Sequence, residues 1–241
     1  MYAWMFWRDT RARLLIYLVL SALLFIISMP ALSAFQSQPA LGRWVTVGNI
    51  ALFGTVVGGL AALGLGSSGT GEHWDRGTME FLVTRPRPRR YIIWTAWAVG
   101  MAELLVFATV GVFVATTALY IRTGDTSSWR LLLLIVPLFA VLSLAYAITL
   151  FFSVLTHSGQ KGLAAGLGTA VAYYVICVAL GYWKHTDSAP VLSLMLAVVG
   201  EPGFAHPVAQ VPMVLEKLLG CFGGAFVFSV AAQIAFDRAE L

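Results

Sequence analysis

Charge is what this chain has least of: only 11% of its 241 residues are Asp, Glu, Lys or Arg, against about a quarter in a soluble domain. That shortage excludes a water-soluble globule. Cysteine is sparse as well. Cys177 and Cys221 both sit inside apolar stretches, with no Cys-x-x-Cys and no metal-ligand spacing, so neither a disulfide nor a redox role is read from them. A phosphate-binding loop of the form G-x-x-x-x-G-K-[ST] is missing. Ser158-Gly159-Gln160-Lys161-Gly162 lacks both the first glycine and the hydroxyl residue after the lysine. Gly64-Leu65-Gly66-Ser67-Ser68-Gly69 does satisfy G-x-G-x-x-G, but it ends an apolar helix instead of joining a strand to a helix, so the dinucleotide reading fails on context. No Ser/His/Asp spacing, no H-E-x-x-H and no paired carboxylates within an apolar run point to a membrane hydrolase.

What the chain has instead is apolar length. Hydrophobic residues make up 59% of it and the mean hydropathy is +0.85. At about 20 apolar residues per crossing, this length holds about six spanning helices with short connections. The expected fold is an all-α integral membrane protein with spans at 14–33, 44–66, 91–121, 130–153, 162–183 and 213–236. Residues 1–13 carry Trp4, Trp7, Arg8 and Arg11 at helical spacing, which suits an interfacial helix in the headgroup layer. A cleaved signal peptide is the rival reading, since Arg8, Arg11 and Arg13 precede an apolar run that ends near Ala31-Leu32-Ser33. In the segment 184–212 the inner apolar run Val191 to Val199 is too short to cross a bilayer and is bracketed by Pro190, Gly200 and Pro202. It reads as a re-entrant or interfacial helix on the outer side, before span six.

Six spans put both termini on one side, and the basic residues choose it. With both termini cytoplasmic, ten Lys and Arg fall inside and five outside, the bias expected of a membrane protein. The formal charge of +4 is then topology and headgroup charge, and no nucleic-acid partner is inferred. His73 and His157 fall in inner connections, His185 and His206 in outer ones. The outer pair, with Asp187 and Glu201, offers cation-binding groups but no known ligand spacing, and solvated loop side chains are the plainer reading.

The 67–90 segment, the longest polar stretch, is the main cytoplasmic loop and the most informative part of the sequence. From Asp75 to residue 84 the pattern suits a short amphipathic helix. Met79, Leu82 and Val83 share an apolar face, Arg76 and Glu80 pair on another, and Pro86 and Pro88 end it. Two uses fit: transmission of force from a cytoplasmic partner, or a plain surface helix lying on lipid. Three G-x-x-x-G pairs, Gly54/Gly58, Gly162/Gly166 and Gly220/Gly224, allow close helix approach, more readily within one subunit than at a dimer seam. Glu103 is the acid set well inside an apolar run. The cost of a carboxylate in hydrocarbon requires it to face protein, water or a partner, in a packing role or on a translocation path.

The string GTMEFLVTRPRPRRYII, residues 77–93, resembles the signature of type-two ATP-binding-cassette (ABC) permeases. The match is carried by Asp75, Gly77, Thr78, Glu80, Leu82, Pro86 and Arg89. Weaker similarity extends over the six spans, the interfacial N-terminal helix, the Ser-rich turn from Ser153 to Ser158 and the re-entrant stretch. Trp94-Thr95 replaces the Gly-Lys that often opens the third span, and the turn after span four carries few of the usual arginines. The resemblance implies a membrane subunit of an ABC exporter, with no ATP site of its own. It would work as a dimer with a second copy or a homologue, in a prokaryotic inner membrane. Two separate ATPase subunits would bind ATP and Mg and engage a coupling helix formed by Asp75, Arg76, Gly77, Thr78, Met79, Glu80, Leu82, Val83, Pro86 and Arg89. The alternatives are a membrane-embedded enzyme using Glu103 or the outer histidines, and a membrane scaffold that transports nothing.

Overall fold

The computed structural model describes residues 2–33, 39–83, 89–124, 126–184 and 207–239. Among them the chain is helical throughout, with no strand. The helices are α1 (Tyr2–Ser33), α2 (Pro39–Asp75), α3 (Met79–Val83), α4 (Arg89–Thr123), α5 (Ile135–Leu155), α6 (Gly159–Lys184) and α7 (Pro207–Arg238), with a 3-10 helix (Thr126–Leu134) leading into α5. Five of the six apolar runs fall within long helices, and the fourth, 130–153, begins in the 3-10 helix and continues through α5. Among the described residues, three segments, Arg90–Ile121, Arg130–Leu155 and Val214–Arg238, are long and apolar enough to cross a membrane. The expected re-entrant stretch, the outer histidines, Pro86 and Pro88 lie outside the described residues.

Helix α5 is the centre of the bundle. It packs against α2, α4, α6 and α7, while α1 lies on α2 and α4. Its Tyr146 is fully enclosed and donates its hydroxyl to the carbonyl of Ala96 on α4 at 3.0 Å. Many buried hydroxyls on the long helices bond back to their own backbone, as Ser143 does to Ala140 O at 2.8 Å and Ser229 to Ala225 O at 2.7 Å. In an apolar surrounding with no water to satisfy them, that is their least costly partner.

Several boundaries differ from those read in the sequence, each for a local reason. Residues 1–13 and 14–33 are not two elements, because α1 is one helix of 32 residues with no glycine or proline before Pro30 to break it. The polar residues 67–75 are the last turns of α2 and not a loop. Their small side chains let α2 approach its neighbours: a Cβ on Gly66 would lie 2.7 Å from Tyr146 O, and one on Gly71 would lie 2.6 Å from Gly159 N. Of the short helix expected over residues 75–84, Met79–Val83 is helical, Asp75 closes α2, and residue 84 lies outside the described residues. Pro137, with no N–H to give, falls in the first turn of α5, and the chain before it, from Thr126 to Leu134, is 3-10.

Two of the three G-x-x-x-G pairs serve packing within the subunit. Gly54 and Gly58 face Leu138, Phe107 and Leu142, and Gly162 and Gly166 face Ser153 and Thr149. In the third pair Gly224 meets Leu144, while Gly220 has open space around it.

Candidate functional site

The site forms where α2 stops. Gly77 adopts φ +66°, a conformation that costs an L side chain about 1–2 kcal/mol. Around it Thr78 N–H bonds to His73 O at 2.9 Å and Gly77 N–H to Trp74 O at 3.0 Å. Together these two bonds form a Schellman motif that satisfies the last carbonyls of α2. The end of α5 repeats the geometry: His157 sits at φ 50°, Ser158 N–H reaches Ser153 O and His157 N–H reaches Val154 O, both at 3.3 Å. The two helix ends lie side by side. The rings of Trp74 and His157 have centroids 4.4 Å apart, Asp75 Oδ2 accepts the N–H of Gly159 at 3.0 Å, and Phe236 near the end of α7 packs edge-on to Trp74.

Helix α1 covers the other flank with a stripe spaced four residues apart. Tyr2, Phe6, Thr10 and Leu14 are buried, while Trp4, at 63% exposure, and Trp7 face outward. The Tyr2 hydroxyl donates to Leu82 O at 3.4 Å and its ring meets Tyr91. Phe6 lies edge-on to the His73 ring at 5.6 Å. Arg13 pairs with Glu72, which also lies 3.7 Å from Arg76. The start of α1, the end of α2, α3, the start of α4, the α5–α6 turn and the end of α7 therefore share one end of the bundle.

Of the residues expected to couple to an ATPase, Asp75, Arg76, Gly77 and Glu80 are exposed at this end. Thr78 is turned inward to His73 Nδ1, 3.0 Å away. The apolar side of α3 does not present the expected docking face: Met79 is 1% exposed and Leu82 6%, both in the core of this chain. The reason is geometric. Five residues make little more than one turn, and the backbone on both sides is tied to α1 and α2, so the apolar side chains close the gap between helices. Val83 ends α3 and Arg89 begins α4; their side chains, like Pro86, lie outside what is described.

Glu103 is 1% exposed. One of its carboxylate oxygens takes the Thr10 hydroxyl, which also lies 2.9 Å from Phe6 O. The other has no hydrogen-bond partner among the described residues. Of the two roles open to it, this geometry supplies the packing contact between α1 and α4. It lies 14 residues after Arg89 and 20 before Thr123, near the middle of α4.

Sequence reasoning missed Asp9, Thr10, Arg13, Glu72, His73 and Trp74. The four-residue spacing of Tyr2, Phe6, Thr10 and Leu14 was a usable sign of a second, buried face on α1. The pairing of Arg13 with Glu72 had none, because the two lie 59 positions apart. Among the described residues no group of three or more His, Cys, Asp or Glu is arranged to hold a metal.

Long apolar helices with back-bonded hydroxyls define the class, a helical membrane protein. No family model matches this chain, and no curated protein matches it either.

Proposed function

We propose that this chain is the membrane-spanning permease subunit of an ATP-driven transporter of the ABC class, an exporter. Its six long helices cross a prokaryotic inner membrane with both termini in the cytoplasm. It forms the translocation path as a dimer with a second copy or a homologue. It has no ATP site and relies on two separate ATPase subunits for nucleotide and Mg. The observation that carries the reading is the exposed turn Asp75, Arg76, Gly77 and Glu80. This turn coincides with the ABC-permease-like string and is braced on both flanks, by α1 through Arg13–Glu72 and by the α5–α6 turn through Asp75–Gly159. A force on it is passed to three helices at once.

Because Met79 and Leu82 are enclosed, the partner meets the polar side of this segment, and the apolar side serves to seat it. ATP-driven closure of the ATPases then rocks the bundle between two states. Purification of the tagged chain from its native membrane is expected to bring an ATPase with it, and the chain alone is expected to hydrolyse no ATP above a mock preparation. Glu80→Lys is expected to leave that complex assembled, since one exposed ion pair contributes about 0–1 kcal/mol, while reducing transport-linked ATP hydrolysis. Robust hydrolysis by the chain alone, or full transport by a variant with Asp75, Arg76 and Glu80 all replaced by Ala, would remove the basis of the reading.

A further inference from the structure

Over its first turns α1 turns one face to the protein and leaves the other free. Tyr2, Phe6, Thr10 and Leu14 point inward, while Trp4, Trp7, Arg8, Arg11, Leu15 and Ile16 are exposed. The arginines of this stretch are sorted in the same way. Arg13 is taken inward by Glu72. Arg8 has the Asp9 carboxylate 3.7 Å from its Nε, longer than a hydrogen bond, and Asp9 also lies 4.0 Å from His73 Nε2. Arg11 enters no ion pair among the described residues. Two guanidinium groups therefore face away from the protein three positions apart, which sets them side by side on one helix face.

Their depth follows from α1 being one unbroken helix. Counted from Leu14, where the apolar run begins, Arg11 lies about 4.5 Å and Arg8 about 9 Å along the axis. Arg11 then falls in a headgroup layer about 5–7 Å deep and Arg8 at its outer rim. Trp7, exposed beside both, suits that layer, which accepts an indole ring and its N–H together. Past Leu14 the exposed face is apolar, with Leu15, Ile16, Val19 and Leu23 outward. One side of one helix thus carries an aromatic ring, two cations without a close counter-charge and a continuous apolar track. This order is complementary to a phospholipid, charged head first and acyl chain after. A zwitterionic headgroup sets its own cation beside the phosphate, where the arginines repel it, so charge complementarity selects an anionic one.

We infer that Arg8 and Arg11, with Trp7 beside them, form a docking site for the headgroup of an anionic phospholipid, whose acyl chains follow the apolar track of α1. The site rests on α1 crossing the membrane. It requires no ATPase and no transported substrate, so its test is separate from that of the transport reading.

The test uses the purified full chain. Native mass spectrometry from detergent micelles counts the phosphatidylglycerol and phosphatidylcholine molecules that each protein retains. The first phosphatidylglycerol is expected to bind about 30-fold more tightly than the first phosphatidylcholine, equivalent to about 1 kcal/mol for each arginine. Arg8→Gln combined with Arg11→Gln is expected to bring the two lipids close to equality. Lys161→Gln combined with Arg238→Gln removes two other exposed cations and is expected to leave the preference unchanged. The placement of α1 is measured separately, with a nitroxide at Ala12→Cys, an exposed position next to Arg11, and Cys177 and Cys221 replaced by Ser. In vesicles of the same two lipids, relaxation by oxygen and by a water-soluble nickel complex is expected to locate this label in the headgroup layer. A label outside that layer overturns the membrane placement of α1 and the inference with it. With the label in the layer, three results overturn the inference alone: equal binding of the two lipids by the wild type, a preference that survives the Arg8 and Arg11 substitutions, or one lost equally with Lys161 and Arg238.

Discussion

A close helix contact at the proposed coupling end gives a sharp test of the packing argument. Gly162 on α6 faces α5 so closely that a Cβ there would lie 2.5 Å from Ser153 Cα and 2.7 Å from Ser153 N. These are backbone atoms, which cannot rotate aside, so Gly162→Ala has to push α5 and α6 apart by about 1 Å to restore ordinary contact. Overpacking of this kind costs about 1–3 kcal/mol. Ala also gains about 1 kcal/mol over Gly in helix propensity, and Gly168→Ala on the same helix, where nothing lies within 4 Å, isolates that gain. The difference between the two variants is therefore the packing term, about 1–3 kcal/mol, with each 1.4 kcal/mol a factor of ten in the unfolding equilibrium. Reversible unfolding in mixed micelles, titrated with denaturing detergent, measures it. Ser153 also contacts Ser67 O on α2 at 3.5 Å, so Gly162→Ala should additionally expose residues 67–75 to hydrogen exchange. Equal stability of the two alanine variants would refute the close approach of α5 and α6.

Gly77→Ala meets no atom within 4 Å, so its cost is purely conformational, about 1–2 kcal/mol in the same unfolding assay. Glu103→Gln keeps a polar partner for Thr10 and is expected to change stability by less than about 1 kcal/mol and to leave transport intact. Reduced transport with normal assembly would instead make Glu103 a residue of the path. Because the native state holds the His73 pKa below the ordinary value of 6.5, the unfolded chain binds the extra proton between the two values, so stability rises with pH across that interval. Unfolding midpoints measured from pH 5 to pH 8 are expected to follow this slope in the wild type and to lose it in His73→Gln.

Local pattern was enough for the helical class, because apolar length and scarce charge permit only elements that satisfy their own backbone in lipid. It also placed a short helix within residues 75–84, of which Met79–Val83 is helical. Glycine spacing foretold close packing, and Gly58, Gly162 and Gly166 supply it. The course of residues 67–75 could not be read in this way. A Gly- and Ser-rich polar string looks like a loop until α5 and α6 are seen to press against it. The orientation of α3 was equally hidden: an apolar face at helical spacing says that something covers it, and only the folded chain decides that Met79 and Leu82 are covered from within. His73, Asp9 and the Arg13–Glu72 pair depend on which helices become neighbours. Sequence spacing reports one helix at a time, while a contact between distant helices is settled by how all their faces fit together.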